Sequence, residues 1–177
     1  MSNMNYYELT IKYERAGEKG LNTKVTEQYL VRTHSCATAE IGILKLLASQ
    51  ITGEARVTSI KESLIKDFVQ DKYGIVTELK GEAQQLLGNK GANTECDRFY
   101  KAKVIFPTID EVTCKVKKLS RFYCIHSGTV EAAHDLLTMS LSKTCQDFEI
   151  HSVVETKIMD YAFIVEKQKD DGVQSNP

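Results

Sequence analysis

The feature that most constrains this chain is a repeat. His34-Ser35, followed by an apolar run of helical period, returns as His126-Ser127 followed by another such run. Val57-Thr58-Ser59-Ile60-Lys61-Glu62-Ser63 returns as Ile150-His151-Ser152-Val153-Val154-Glu155-Thr156. Each string runs on to an isoleucine and an aspartate–aromatic pair: Ile65, Asp67 and Phe68, then Ile158, Asp160 and Tyr161. At the start of the copies, Tyr7, Leu9, Ile11 and Tyr13 are matched by Tyr100, Ala102, Val104 and Phe106. The separations are 92 residues for the histidines and 93 for both the aspartates and the leading tyrosines. A duplication of this kind sets the architecture before any single residue is interpreted.

Within a copy the periods change in a fixed order. Residues 6–13 alternate, with Tyr7, Leu9, Ile11 and Tyr13 on one side and Glu8, Thr10 and Lys12 on the other, as a half-buried strand does. Ala16-Gly17-Glu18-Lys19-Gly20 supplies turn chemistry, and 24–33 forms the returning strand. Ile41, Leu44 and Leu47 then recur at helical spacing. Ser35 is placed to cap the first turn, and Gly53 follows the expected helix end. Strand character comes back over 56–68. The second copy repeats this order. Residues 99–106 form a strand that Pro107 is expected to end, and 115–125 form the return strand. Ser127 or Thr129 caps a helix with Val130, Ala133, Leu136, Leu137 and Leu141 on its apolar stripe, and 148–164 closes the copy.

The expected fold is therefore α+β. A duplicated β-β-α-β unit forms a pseudo-twofold, largely antiparallel sheet with helices packed on one face. The boundaries are 6–69 for the first repeat, 70–97 for a connector with a short helix near 75–87, 98–165 for the second repeat and 166–177 for a disordered polar tail. One unit of this size buries too little surface to be stable alone, so the two copies are expected to share a core.

Composition narrows the function classes. Of 177 residues 42% are hydrophobic and 27% charged, which suits a globular chain, and the formal net charge is −1. A near-neutral chain has no global electrostatic case for binding nucleic acid or membrane, so any such case must be local. The start lacks a signal-like run, and no stretch reaches the roughly 18 consecutive apolar residues of a membrane helix. Five cysteines, none in a C-x-x-C pair, suit reduced thiols in a cytoplasm.

Charge is unevenly placed. The second hairpin carries Arg98, Lys101, Lys103, Lys115, Lys117, Lys118 and Arg121 against Asp110 and Glu111, whereas the first hairpin is nearly balanced. Alternation puts Lys101 and Lys103 on one face with Phe99 and Ile105. Cations beside an aromatic ring are what a single-stranded DNA or RNA needs, the phosphates being neutralised and the bases stacked. The bland reading is a solvated sheet face whose lysines deter edge-to-edge pairing.

Other constellations are weaker. His34, Cys36, Cys124 and His126 are zinc-type ligands, but their spacing fits no zinc motif, and setting the strand-to-helix corner is the plainer role. Asp67, Asp160, Glu62 and Glu155 repeat with the duplication and suit turn amides or a basic partner as well as acid–base work. His134 and His151 stand alone. No nucleophile elbow, phosphate-binding loop, dinucleotide fingerprint or zinc-protease string occurs. A non-enzymatic binding protein without metal or cofactor is expected. It takes single-stranded nucleic acid or, alternatively, a host protein or small signalling nucleotide in a groove between the repeats.

Three strings carry a family resemblance: Lys24-Val25-Thr26-Glu27-Gln28-Tyr29-Leu30-Val31, Arg98-Phe99-Tyr100-Lys101-Ala102-Lys103-Val104 and Val154-Glu155-Thr156-Lys157-Ile158-Met159-Asp160. Together they make the chain resemble the domain of unknown function 4494 family, from Tyr7 to Tyr161. The family occurs in anaerobic gut bacteria and their phages, and the resemblance implies a small cytoplasmic protein of bacterial or phage origin; the nucleic-acid reading, made from the basic hairpin, expects a role in phage or mobile-element replication or recombination. The connector departs from the family pattern. The family brings no established activity and no catalytic residues.

Overall fold

The computed structural model describes residues 4–16, 22–49, 51–70, 74–76, 84–86, 98–109, 114–144 and 147–164. The first copy holds β1 (Asn5–Ala16), β2 (Asn22–Thr33), α1 (Cys36–Leu47), β3 (Ala55–Glu62) and β4 (Ile65–Gln70). Two short strands follow, β5 (Gly74–Val76) and β6 (Gln84–Leu86). The second copy holds β7 (Arg98–Ile109), β8 (Val116–Ser127), α2 (Val130–Ser142), β9 (Glu149–Glu155) and β10 (Ile158–Ile164). The α+β class, the doubled unit and the largely antiparallel pairing all hold, and the strands divide between two sheets of five, ordered β3-β1-β2-β10-β6 and β5-β4-β8-β7-β9.

Each copy sends its last strand into the other copy's sheet. β4 lies parallel beside β8, with Phe68 opposite Cys124, and β10 lies parallel beside β2, with Tyr161 opposite Leu30. The crossing is made at the same place in both. Ser63 N donates to Tyr6 O at 2.7 Å and Thr156 N to Phe99 O at 2.8 Å, and the Ser63 and Thr156 hydroxyls each accept from the amide two residues on at 3.3 Å. The Ser63/Thr156 match in the repeated strings is the trace of this corner. Asp160 Oδ1 accepts from Tyr161 N at 2.7 Å just past it.

Three apolar clusters result. α1 covers one face of its sheet through Ala39, Ile43 and Leu47 against Leu9, Ile11, Val31 and the exchanged Ala162 and Ile164. α2 does the same through Ala133, Leu137 and Leu141 against Ala102, Val104 and Ile125. The opposite faces meet at Tyr6, Leu30 and Tyr161 from one sheet and Ile65, Phe68, Phe99 and Cys124 from the other. Fully burying a side chain of this size contributes about 1.5–3 kcal/mol, so this third cluster ties the copies together strongly.

Pairs of equivalent residues touch one another there. Phe68 and Tyr161, 93 positions apart, stack with centroids 4.3 Å apart and planes at 10°. Lys101 Nζ lies 3.2 Å from Oε1 of Glu8, again 93 positions away. A residue meets its own counterpart only beside the pseudo-twofold axis, which therefore runs through these two contacts.

Several expectations need correction. The caps are Ser35, accepting from Thr38 N, and Thr129, accepting from Ala132 N. They stand 94 positions apart, so the two His-Ser pairs are not equivalent. Arg32 opposes Tyr6 in one copy and His126 opposes Phe99 in the other. Pro107 does not end β7, since it lies opposite Lys118 with Thr108 and Ile109 paired beyond it. β9 pairs with β7 only as far as Ile105, so among the described residues no strand on that side needs the missing proline N–H. Within the connector, the described residues of the expected 75–87 helix are strands, because they pair on the edges of β4 and β10. The rest of that segment, and the tail at 166–177, lie outside the described residues.

Candidate nucleic-acid interface

The second hairpin is buried on both faces near its base and bare at its far end. From Phe99 to Phe106 the residues of β7 are buried or half-buried, because α2 covers one side and the first copy's sheet the other. Along β8, residues 114–121 are exposed. β9 pairs with β7 only as far as Ile105, and β4 joins β8 only at Phe122. Beyond those points, among the described residues, the hairpin is a two-stranded ribbon.

The eight residues singled out in the sequence separate into three groups. Phe99 is 1% exposed, packed against Phe68 at 6.2 Å and His126 at 4.7 Å between centroids. It cannot stack on a base. The one-face arrangement needed the Phe99 side of β7 to be open at its base, and the other sheet occupies that space. Arg98, Lys101 and Arg121 make contacts within the frame of the hairpin. Arg98 Nη1 lies 3.0 Å from Glu155 Oε2, Lys101 holds Glu8 and sits over Phe122, and Arg121 lies over Phe106 at 5.3 Å. Lys115, Lys117 and Lys118 are exposed at the far end, with half-buried Lys103 between the two regions. Exposed with them are Ile109, Val116 and Leu119.

The first hairpin has equivalent geometry and different chemistry. Glu27, opposite Ile11, accepts from the Tyr13 and Tyr29 hydroxyls at 2.6 Å each and pairs with Arg15 at 3.4 Å. Burial, and then the neighbouring Glu27 carboxylate, push both tyrosines above their ordinary range. The second copy has Phe106 in place of Tyr13 and Arg121, opposite Val104, in place of Glu27. Removing the hydroxyl removed the reason for a carboxylate, and a guanidinium lies on the ring instead. The described residues of β7 and β8 contain no acidic side chain, whereas β1 and β2 contain Glu8, Glu14 and Glu27.

The remaining candidates do not assemble into a reactive centre. Burial raises the Cys124 thiol well above its ordinary range, and Cys36 is exposed at the start of α1. His126 lies over Phe99. Among the described residues no group of three or more His, Cys, Asp or Glu is placed to hold a metal. Glu62 accepts from Asn5 at 3.0 Å, as Glu155 does from Arg98, so these two carboxylates serve one repeated cross-strand contact. Asp67 is raised by burial, against the lowering charges of Arg32, Arg121 and Lys66. Phe68 and Tyr161 fill the centre between the sheets, where a ligand groove between the repeats was expected. His134 and His151 both line an open groove of about 450 Å³ between α2 and β9, with Glu131 and Asp135. The packing of α2 beside β9 forms this groove, which no local sequence signal announced.

No helix among the described residues is long and apolar enough to cross a membrane. Neither a curated protein nor a solved structure matches the chain. A family match covers residues 5–163, from β1 to the exchanged β10, under the description Domain of unknown function (DUF4494), and the chain belongs to that family.

Proposed function

We propose that this protein binds nucleic acid through the projecting end of the β7–β8 hairpin, as a non-enzymatic component of bacterial or phage replication or recombination in the cytoplasm. The observation that carries this reading is the exposed Lys115, Lys117 and Lys118 on a ribbon whose described residues include no acidic group. Lysines neutralising phosphates release condensed counterions, which supplies affinity without base contacts. Lys103 and Arg121 flank the contact. Arg98, Lys101 and Phe99 belong to the frame that holds the hairpin.

Fluorescence anisotropy with a labelled oligonucleotide tests the reading. The protein binds at about 50 mM salt and weakens steeply as salt rises, by roughly one power of the salt concentration per phosphate neutralised. Lys115→Glu with Lys117→Glu and Lys118→Glu weakens binding by at least about tenfold with the melting temperature unchanged, since exposed substitutions of this kind alter stability by about 0.5 kcal/mol or less. Absence of binding by the unmutated protein at low salt overturns it.

A further inference from the structure

A second surface lies on the other side of β7 from β8. We propose that the groove between α2 and β9 takes an extended basic peptide, which adds as a strand to the edge of β9. β9 is the outermost strand of its sheet and, among the described residues, pairs only with β7. Its other edge presents backbone N–H and C=O groups, the template that an extended chain needs. Four consecutive residues, Ile150 to Val153, line the groove with the first half of α2. Successive strand residues point to opposite faces, so a lining of four in a row means that the groove runs along the strand's edge. Its volume of about 450 Å³ falls within the range of ligand sites.

The side chains select the occupant. Glu131 and Asp135 line the groove, both exposed, and the lining includes no lysine or arginine. Val130, Ile150 and Val153 supply apolar contact. A peptide that alternates basic and apolar side chains satisfies both. This set belongs to the second copy alone: with the caps Ser35 and Thr129 superposed, Ala37 and Ile41 stand where Glu131 and Asp135 do. The bulge residue differs too. Thr58 and His151 are each skipped in their ladders, but Thr58 turns its hydroxyl back onto Thr10 O at 3.1 Å, whereas His151 lines the groove. That bulge also argues against a second copy of the chain as occupant, because it divides the edge into short runs and blunts long edge-to-edge pairing. Antiparallel pairing of β9 with another β9 about Ser152 would set Glu149 opposite Glu155, a like-charge contact that destabilises.

The test uses a labelled heptapeptide of alternating lysine and valine, and the same peptide with glutamate for lysine, in fluorescence anisotropy with the full chain. The basic peptide binds at least about tenfold more tightly than the acidic one. Its binding slows amide hydrogen exchange along β9 and not along β3, the equivalent edge of the first copy. Glu131→Lys with Asp135→Lys weakens it by at least about tenfold, with the melting temperature recorded. Lys115→Ala with Lys117→Ala and Lys118→Ala leaves it within about twofold at about 100 mM salt, which separates this site from the hairpin. Absence of binding, or equal binding of the two peptides, overturns the proposal. So does binding that leaves β9 exchange unchanged, or that the α2 double variant does not weaken. Self-association that protects β9 without peptide overturns it in favour of a second copy of the chain.

Discussion

The Glu8–Lys101 contact shows what duplication permits at a single position. On a true twofold, a residue at the axis meets an identical residue, and two glutamates or two lysines would repel. In one chain the two copies of the position have diverged to opposite charge. Burial pushes Glu8 upward, but hydrogen bonds from Ser63 and Lys101, with the Lys101 and Lys61 charges, outweigh it and hold the carboxyl below its usual range. Lys101→Glu should cost about 1 kcal/mol or somewhat more, and Glu8→Lys added to it should recover most of that loss in urea melts. Because the folded-state value is depressed, this stabilisation is present above the ordinary glutamate range and is lost as pH falls through the folded value. Asp67 has the opposite sign. Its folded value is raised, so its burial becomes a penalty as pH rises through the ordinary aspartate range toward that value. Asp67→Asn should raise the melting temperature at pH 7, and the gain should vanish below about pH 4. The Glu8/Lys101 difference is visible in the aligned copies, but nothing in either string reveals that the two residues touch.

Among the elements, the hairpins and helices follow local periodicity and were legible down to the cap at Ser35. The destination of β4 and β10 was not, because a strand's pattern specifies faces and not neighbours. That gap also hid the burial of Phe99, since alternation implies one open face and the exchanged architecture covers both. Gly42 on α1 records the exchange from the helix side. A Cβ there would fall inside van der Waals contact of Ile164 on the exchanged β10. Gly42→Ala should therefore destabilise by about 1–3 kcal/mol, as overpacking does, despite alanine's better helix propensity. Equilibrium denaturation checks this, and a stabilised Gly42→Ala protein would show that β10 does not press on α1. Ser35 and Thr129 each cap a helix, and replacing either by Ala should cost about 0.5–2 kcal/mol.

For the whole molecule, reciprocal exchange makes the two copies one folding unit, and divergence makes them functionally unequal. Each helix-side core contains a strand edge supplied by the other copy, so neither copy completes its sheet alone. The central claim is that binding belongs to the second hairpin through its charge and not through hairpin geometry, which both copies share. Equivalent positions allow a matched comparison. Thr23 and Lys24 lie opposite Arg15 and Glu14 in the first hairpin as Lys117 and Lys118 lie opposite Thr108 and Pro107 in the second. The decisive measurement is oligonucleotide affinity for Lys117→Glu with Lys118→Glu beside Thr23→Glu with Lys24→Glu, at one salt concentration and with melting temperatures recorded. Binding through the charge of the second hairpin requires at least about a tenfold loss for the first pair and a change within about twofold for the second. Equal losses, or a larger loss from the first hairpin, would contradict it.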